Sequence, residues 1–233
     1  MYCEISEICY NYKNMRDIIK AFKRIPEKTR TIVYGMFSLL KNLFYFLFKI
    51  AVGIIFKSPL LIAIAIYNIL IGLVKANCSR GLWKNKDDLK DIQTYIIGGV
   101  ILSISSLFYI GYTANQVYNP TNTKYNLAIA IIIAAFATFS ITKSIVGLIR
   151  TKGKTLLIKE YKVTNFATAL TNLVLTQIAL LSVTAESNMG AYNSFVGVVV
   201  GVIILAFGLF LVINGLIKNK AYNKMLTINK NNN

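Results

Sequence analysis

The chain has 233 residues, 55% of them hydrophobic and 15% charged, with a mean hydropathy of +0.56. A water-soluble domain of this size cannot hide that much apolar surface, so part of it must face lipid. The net charge of +17, from 26 Lys+Arg against 9 Asp+Glu, sits in short polar segments between apolar runs. That is the mark of membrane topology, not of the aromatic-interleaved basic patch that nucleic acid needs.

Residues 1–30 read as a basic cytoplasmic leader, 31–218 as a membrane helical domain and 219–233 as a polar cytoplasmic tail. Arg16, Lys20, Lys23 and Arg24 would ride on a short amphipathic helix lying on anionic lipid, or on a solvated tail. Cys3, Cys9 and Cys78 all fall in segments assigned to the cytoplasm, where disulfides are not expected.

Six apolar segments follow, at 31–56, 59–75, 93–114, 126–149, 164–185 and 194–217. A spanning helix needs about 20 apolar residues, and the last four segments meet that length. The fold class is therefore an all-α integral membrane bundle of four transmembrane helices plus an N-terminal helical hairpin. Arg80, Lys84, Lys86 and Lys90 lie in one loop, and Arg150, Lys152, Lys154, Lys159 and Lys162 in another. Lys218, Lys220, Lys224 and Lys230 lie in the tail, whereas 115–125 has only Lys124 and 186–193 has no basic residue. Lys/Arg bias in short loops sets orientation, so the basic segments and both termini are expected in the cytoplasm.

With the leader also inside, 31–75 crosses twice or not at all. A hairpin turning at Lys57-Ser58-Pro59 is favoured, with Ser58 capping the second helix and Pro59 in its first position. The alternative lays 31–56 flat on the inner surface, because Lys41, Lys49 and Lys57 share a face with Tyr34, Ser38, Asn42, Tyr45 and Gly53.

Three segments end alike, in Gly72-Leu-Val-Lys75, Gly147-Leu-Ile-Arg150 and Gly215-Leu-Ile-Lys218, at intervals of 75 and 68 residues. A threefold repeat of in–out–in hairpins would produce that pattern. In the last segment, Gly197, Gly201, Gly208 and Gly215 form a stripe fit for close helix packing, within the chain or across a homodimer. In 164–185, Thr164, Thr168, Thr171, Asn172 and Ser182 form a polar face expected to bond across helices, with Gln177 on another side. Asn68 and Asn214 pose the same question, and Lys143 is placed to snorkel to the cytoplasmic surface. Lys41, Lys49, Thr168, Thr171 and Asn172 are the candidates for a polar pathway.

Catalytic and cofactor signals are poor. No acidic residue lies in a membrane segment as bounded above, which argues against a proton-driven carrier. The chain has no histidine, which excludes imidazole metal ligation and His-dependent catalysis. Asp87-Asp88-Leu89-Lys90-Asp91 spells DDxxD but has no second acidic cluster to complete a Mg²⁺-diphosphate site. No Gly-rich phosphate loop, CxxC or serine-hydrolase motif is present. No cofactor and no metal are expected.

The run from Ser58 through Tyr67 and Asn68 to Lys75, Ala137–Thr142 with Ser144 and Ile145, and Leu175-Thr176-Gln177 together resemble an uncharacterised family of small multi-pass membrane proteins of Gram-positive bacteria. The resemblance covers roughly residues 37–218. Where that family has a second aromatic after Tyr67, this chain has Asn68. It implies a membrane fold in a bacterial plasma membrane, and carries over no activity and no site residues. The abundance of Lys, Asn, Ile and Tyr suits an AT-rich bacterial genome. The expected role is a non-catalytic membrane component that assembles with itself or an unidentified membrane partner, with the lipid bilayer as its surroundings. The alternative is a small transporter or channel for a small solute or lipid.

Overall fold

A computed structural model describes residues 27–55, 59–84, 87–120, 126–149, 155–184 and 190–231. It is all-helical over them: α1 (Glu27–Ile55), α2 (Pro59–Lys84), α3 (Asp88–Tyr118), α4 (Leu127–Ile149), α5 (Leu156–Thr184) and α6 (Gly190–Asn231). The leader over 1–26, and the turn at Lys57 and Ser58, lie outside the described residues.

Local chemistry explains several boundaries. Pro59 opens α2, where its missing N–H is no loss. Asn126 caps α4, its side-chain oxygen accepting from the Ala128 N–H at 3.1 Å. Asp88 and Asp91 sit in the first turn of α3 and Lys84 in the last turn of α2, each favourable to its helix dipole. Asp87, just before α3, pairs with Lys90 at 3.6 Å on the exposed surface.

Among the described residues, five helices hold a stretch long and apolar enough to cross a membrane: Ile62–Lys84, Asp88–Tyr118, Ala130–Ile149, Leu156–Thr184 and Gly190–Ile228. In α1 the apolar stretch is shorter, Asn42–Ile55. The outer surface of the bundle is apolar, with Phe37, Leu40 and Phe44 on α1, Ile131, Phe136 and Phe139 on α4, and Phe210 on α6 all exposed. A surface of that kind fits lipid and not water.

The helices pair α1 with α2, α3 with α6 and α4 with α5. Helix α2 also packs on α3, and α5 touches α2, α3 and α6. The α3–α6 contact is the tightest, and the glycine stripe makes it so. A β-carbon on Gly197 would lie 2.8 Å from Thr113 Cγ2, and one on Gly201 2.5 Å from Ile110 Cγ1. On Gly208 it would meet the Ser103 backbone nitrogen at 2.9 Å, and on Gly215 Ile96 Cγ1 at 2.5 Å. Gly99 of α3 answers from the other side, 3.0 Å from the Val212 backbone nitrogen. Without side chains the two backbones approach closely enough for dispersion to hold them. The stripe is thus taken up inside the chain.

The three similar helix ends do not share a setting. Gly72 has nothing within 4 Å of an added β-carbon, Gly147 lies against the Lys162 stem at 3.4 Å, and Gly215 is wedged on Ile96. The returning arms α2, α4 and α6 pack on α1, α5 and α3 respectively, so the motif is common to them in sequence and not in packing.

Helices run past the sequence-drawn bounds. Helix α2 continues through Cys78 to Lys84, α5 begins at Leu156, and α6 continues through the polar tail to Asn231. The charged residues there read as loop in the sequence but form the polar end turns of long helices, the first turns of α5 and the last turns of α2 and α6.

Candidate functional site

Among the described residues, buried polar groups recur along the bundle, and two levels hold its buried charged side chains, Lys49 at one and Lys75 and Glu160 at the other. The first lies near its middle. Lys49 of α1 is buried, and its Nζ donates to Asn172 Oδ1 of α5 at 3.3 Å. Asn172 lies 16 residues beyond Leu156, roughly 24 Å along a helix of roughly 43 Å at 1.5 Å per residue. A lysine bonded there places α1 alongside the other helices, and not flat across the end of the bundle. Lys41 belongs to the same helix, but its side chain lies outside the described residues.

Among the described residues, the three threonines of the α5 polar face bond within their own helix, not across helices as expected. Thr164 donates to the Glu160 carbonyl, Thr168 to that of Thr164, and Thr171 to that of Thr168, at 2.9, 3.0 and 2.9 Å. A short hydroxyl reaches the carbonyl one turn back in its own helix without needing a neighbour. Thr164 and Thr171 are fully buried nonetheless. The longer amides do cross. Gln177 Nε2 donates to Asn193 Oδ1 at 3.4 Å and Asn214 Nδ2 to the Tyr95 hydroxyl at 3.3 Å. Asn68 turns back, donating to the Ile64 carbonyl at 2.8 Å. Lys143 is exposed on α4, 6.0 Å from the Phe139 ring centroid.

The second level lies where the end of α2 meets the starts of α3 and α5. Asn77 Nδ2 donates to the Thr94 carbonyl at 3.0 Å, and the Cys78 thiol to the Leu157 carbonyl at 2.9 Å. Cys78 is therefore a core residue of α2 and not part of a cytoplasmic loop. Between these contacts sits Glu160 of α5, 0% exposed. Neither carboxyl oxygen has a hydrogen-bond partner among the described residues. The space it fills exists because residue 98 is glycine: a β-carbon there would overlap the Glu160 carboxyl. Cys78 and Tyr95 both lie within electrostatic reach of it. Lys75, one turn before Cys78 on α2, is also buried.

Glu160 and Tyr95 were not singled out from the sequence, Cys78 was placed in the cytoplasm, and Lys75 was marked only as the end of a repeated motif. The stated absence of acidic residues from the membrane segments followed from starting the fifth segment at 164 instead of 156. A signal was present: Glu160, Thr164, Thr168 and Thr171 recur at helical spacing, so the polar face could have been followed one turn further back.

The basic segments meet at this end. Lys84 and Lys90 flank the α2–α3 turn, Lys159 lies in the first turn of α5, and Asn214 brings in α6 just before Lys218. The opposite end carries Tyr118, Asn119, Asn126 and Tyr192, with no charged residue among the four. An open apolar groove of about 450 Å³ lies towards that end, lined by Leu173, Thr176, Gln177, Leu180, Leu181 and Tyr192. No group of three or more potential metal ligands occurs among the described residues. No protein-family model matches the chain, and no curated protein matches it.

Proposed function

We propose that the chain is a non-catalytic multi-pass component of a bacterial plasma membrane, acting by assembly with a second copy or a membrane partner. The observation that carries this reading is the Lys49–Asn172 hydrogen bond. A conduit between the polar faces of α1 and α5 needs a gap that both faces line. At that level the two faces bond each other instead. The back-bonded threonines of α5 add to the case, since their hydroxyls are already engaged. Surface for assembly remains on α1 and α4, whose large apolar side chains are turned outwards. The runner-up, a small transporter or channel, draws support from the buried ionisable groups, which are uncommon inside membranes without a use.

In the orientation this reading adopts, the basic end of the bundle and both termini are cytoplasmic. The resemblance to Gram-positive multi-pass proteins belongs to the same proposal. The test combines purification in mild detergent with flux in liposomes. Co-purification of a stoichiometric partner, or a defined homo-oligomer, with no solute flux is expected. A partnerless monomer, or solute flux that Lys49→Met alters, would overturn the assignment. Orientation is tested by single cysteines at Tyr118 and Lys220 in a chain lacking its native cysteines. Only the first should react with an impermeant maleimide on intact cells, and the reverse pattern would invert the topology.

A further inference from the structure

Glu160 is a carboxyl group with nowhere to put a negative charge. It is 0% exposed, and both oxygens lack a hydrogen-bond donor among the described residues. Moving an isolated carboxylate out of water is far too costly for a folded bundle to bear unpaired, so such a site holds a counter-ion or a proton. The surrounding groups argue against a metal ion. The Cys78 thiol is committed to the Leu157 carbonyl, the Tyr95 hydroxyl accepts from Asn214, and no cluster of metal-ligating residues stands among the described residues.

The titratable and charged groups around it are few. Helix α2 supplies Cys78 and, one turn away, the buried Lys75, which takes part in an interaction but gives neither Glu160 oxygen a hydrogen bond; α3 supplies Tyr95 and, towards the end of the bundle, Asp91. On α6 the residues at this level are Leu211, Val212 and Asn214, none of them titratable. On α5 itself Tyr161 is next in sequence and Lys162 is turned towards Gly147 of α4. Two independent features thus mark the place: a fully buried acid without a donor, and a glycine on the facing helix whose absent side chain makes room for that acid.

We propose that Glu160 is a proton-binding site at the junction of α2, α3 and α5. One proton, taken from water at the basic end of the bundle, is held on one carboxyl oxygen, and the junction closes over the neutral acid. When the junction opens, the proton returns to water and leaves a solvated carboxylate. Helix α5 begins only four residues before Glu160, roughly 6 Å away, so opening its first turn is enough to admit water. The site is independent of whether the chain is a scaffold or a conduit, since neither assembly nor flux enters its test.

The test is infrared spectroscopy of the full chain in lipid. At neutral pH exposed carboxyl groups are ionised, so a carbonyl band of a protonated acid reports a buried one. The wild-type chain should show that band. Glu160→Gln, which keeps the shape and removes the acid, should lose it with the fold unchanged by circular dichroism. Gly98→Ala should shift or abolish it, because the added methyl occupies the carboxyl's place. In D₂O the band should move to its deuterated position with time, reporting exchange. Absence of the band from the wild-type chain at neutral pH would overturn the proposal without reference to any variant. A band that survives in Glu160→Gln would move the site elsewhere, and a band that never responds to D₂O would remove the exchange.

Discussion

Replacing Gly208 by alanine isolates the close contact between α3 and α6. The new methyl would stand 2.9 Å from the Ser103 backbone nitrogen and 3.1 Å from its α-carbon, distances that a backbone cannot relieve by a rotamer change. The helices must separate by several tenths of an ångström along a contact that Gly197, Gly201 and Gly215 also hold. Overpacking of this kind costs about 1–3 kcal/mol. Against it stands the helix-propensity gain of Ala over Gly, up to about 1 kcal/mol. The balance is a loss of roughly 0–2 kcal/mol, up to thirtyfold in the folding constant. Gly111, on α3 itself, is the control, because a β-carbon there meets nothing within 4 Å. Gly111→Ala keeps the propensity gain and incurs no clash, so the two variants should differ by about 1–3 kcal/mol. Equilibrium unfolding in mixed detergent–SDS micelles measures both. Equal stabilities for Gly208→Ala and Gly111→Ala would refute the close packing of α3 on α6.

Other consequences are as direct. In a double-mutant cycle of Lys49→Met and Asn172→Leu, the coupling should be near 0.6 kcal/mol, with about 1.7 kcal/mol as the upper end for such bonds in a membrane; zero coupling would mean that the two do not meet. Asn172→Leu alone should destabilise more than the double variant, since it strands a buried ammonium. The Cys78 thiol should stay unmodified by maleimide in folded protein and react on SDS unfolding, as a fully buried side chain requires; prompt labelling of the native state would place it elsewhere. Tyr95→Phe removes the acceptor of Asn214 and should cost about 0.6 kcal/mol, measurable in the same micelle titration.

The helical class was legible because apolar runs and loop lysines are local signals. So was the stripe of Gly197, Gly201, Gly208 and Gly215, whose spacing alone puts it on one face. Its partner was not legible, because the match to Gly99 and Ser103 of α3 involves residues about a hundred positions away. For the same reason Lys49 and Asn172 were each marked as polar candidates while the bond between them went unseen. Glu160 and Cys78 were missed for a different cause. Both lie in stretches rich in charged residues, and hydropathy averaged over such stretches ends a helix too early, although these two side chains are buried and even Lys75 beside Cys78 is turned inward.

The hydroxyl groups have a bearing on biogenesis. Ser103, Ser105, Thr113, Thr138, Thr142, Thr164 and Thr168 each donate to a carbonyl four residues back in the same helix. Helices α3, α4 and α5 therefore carry these donors already quenched when they leave the translocation channel, and enter hydrocarbon as less polar rods than their composition suggests. Among the described residues, the side chains that reach another segment include Lys49, Asn77, Cys78, Ser144, Gln177 and Asn214, with Glu160 needing a proton. Those few bonds can close only after the later segments have entered, so they register the docking of helices already inserted.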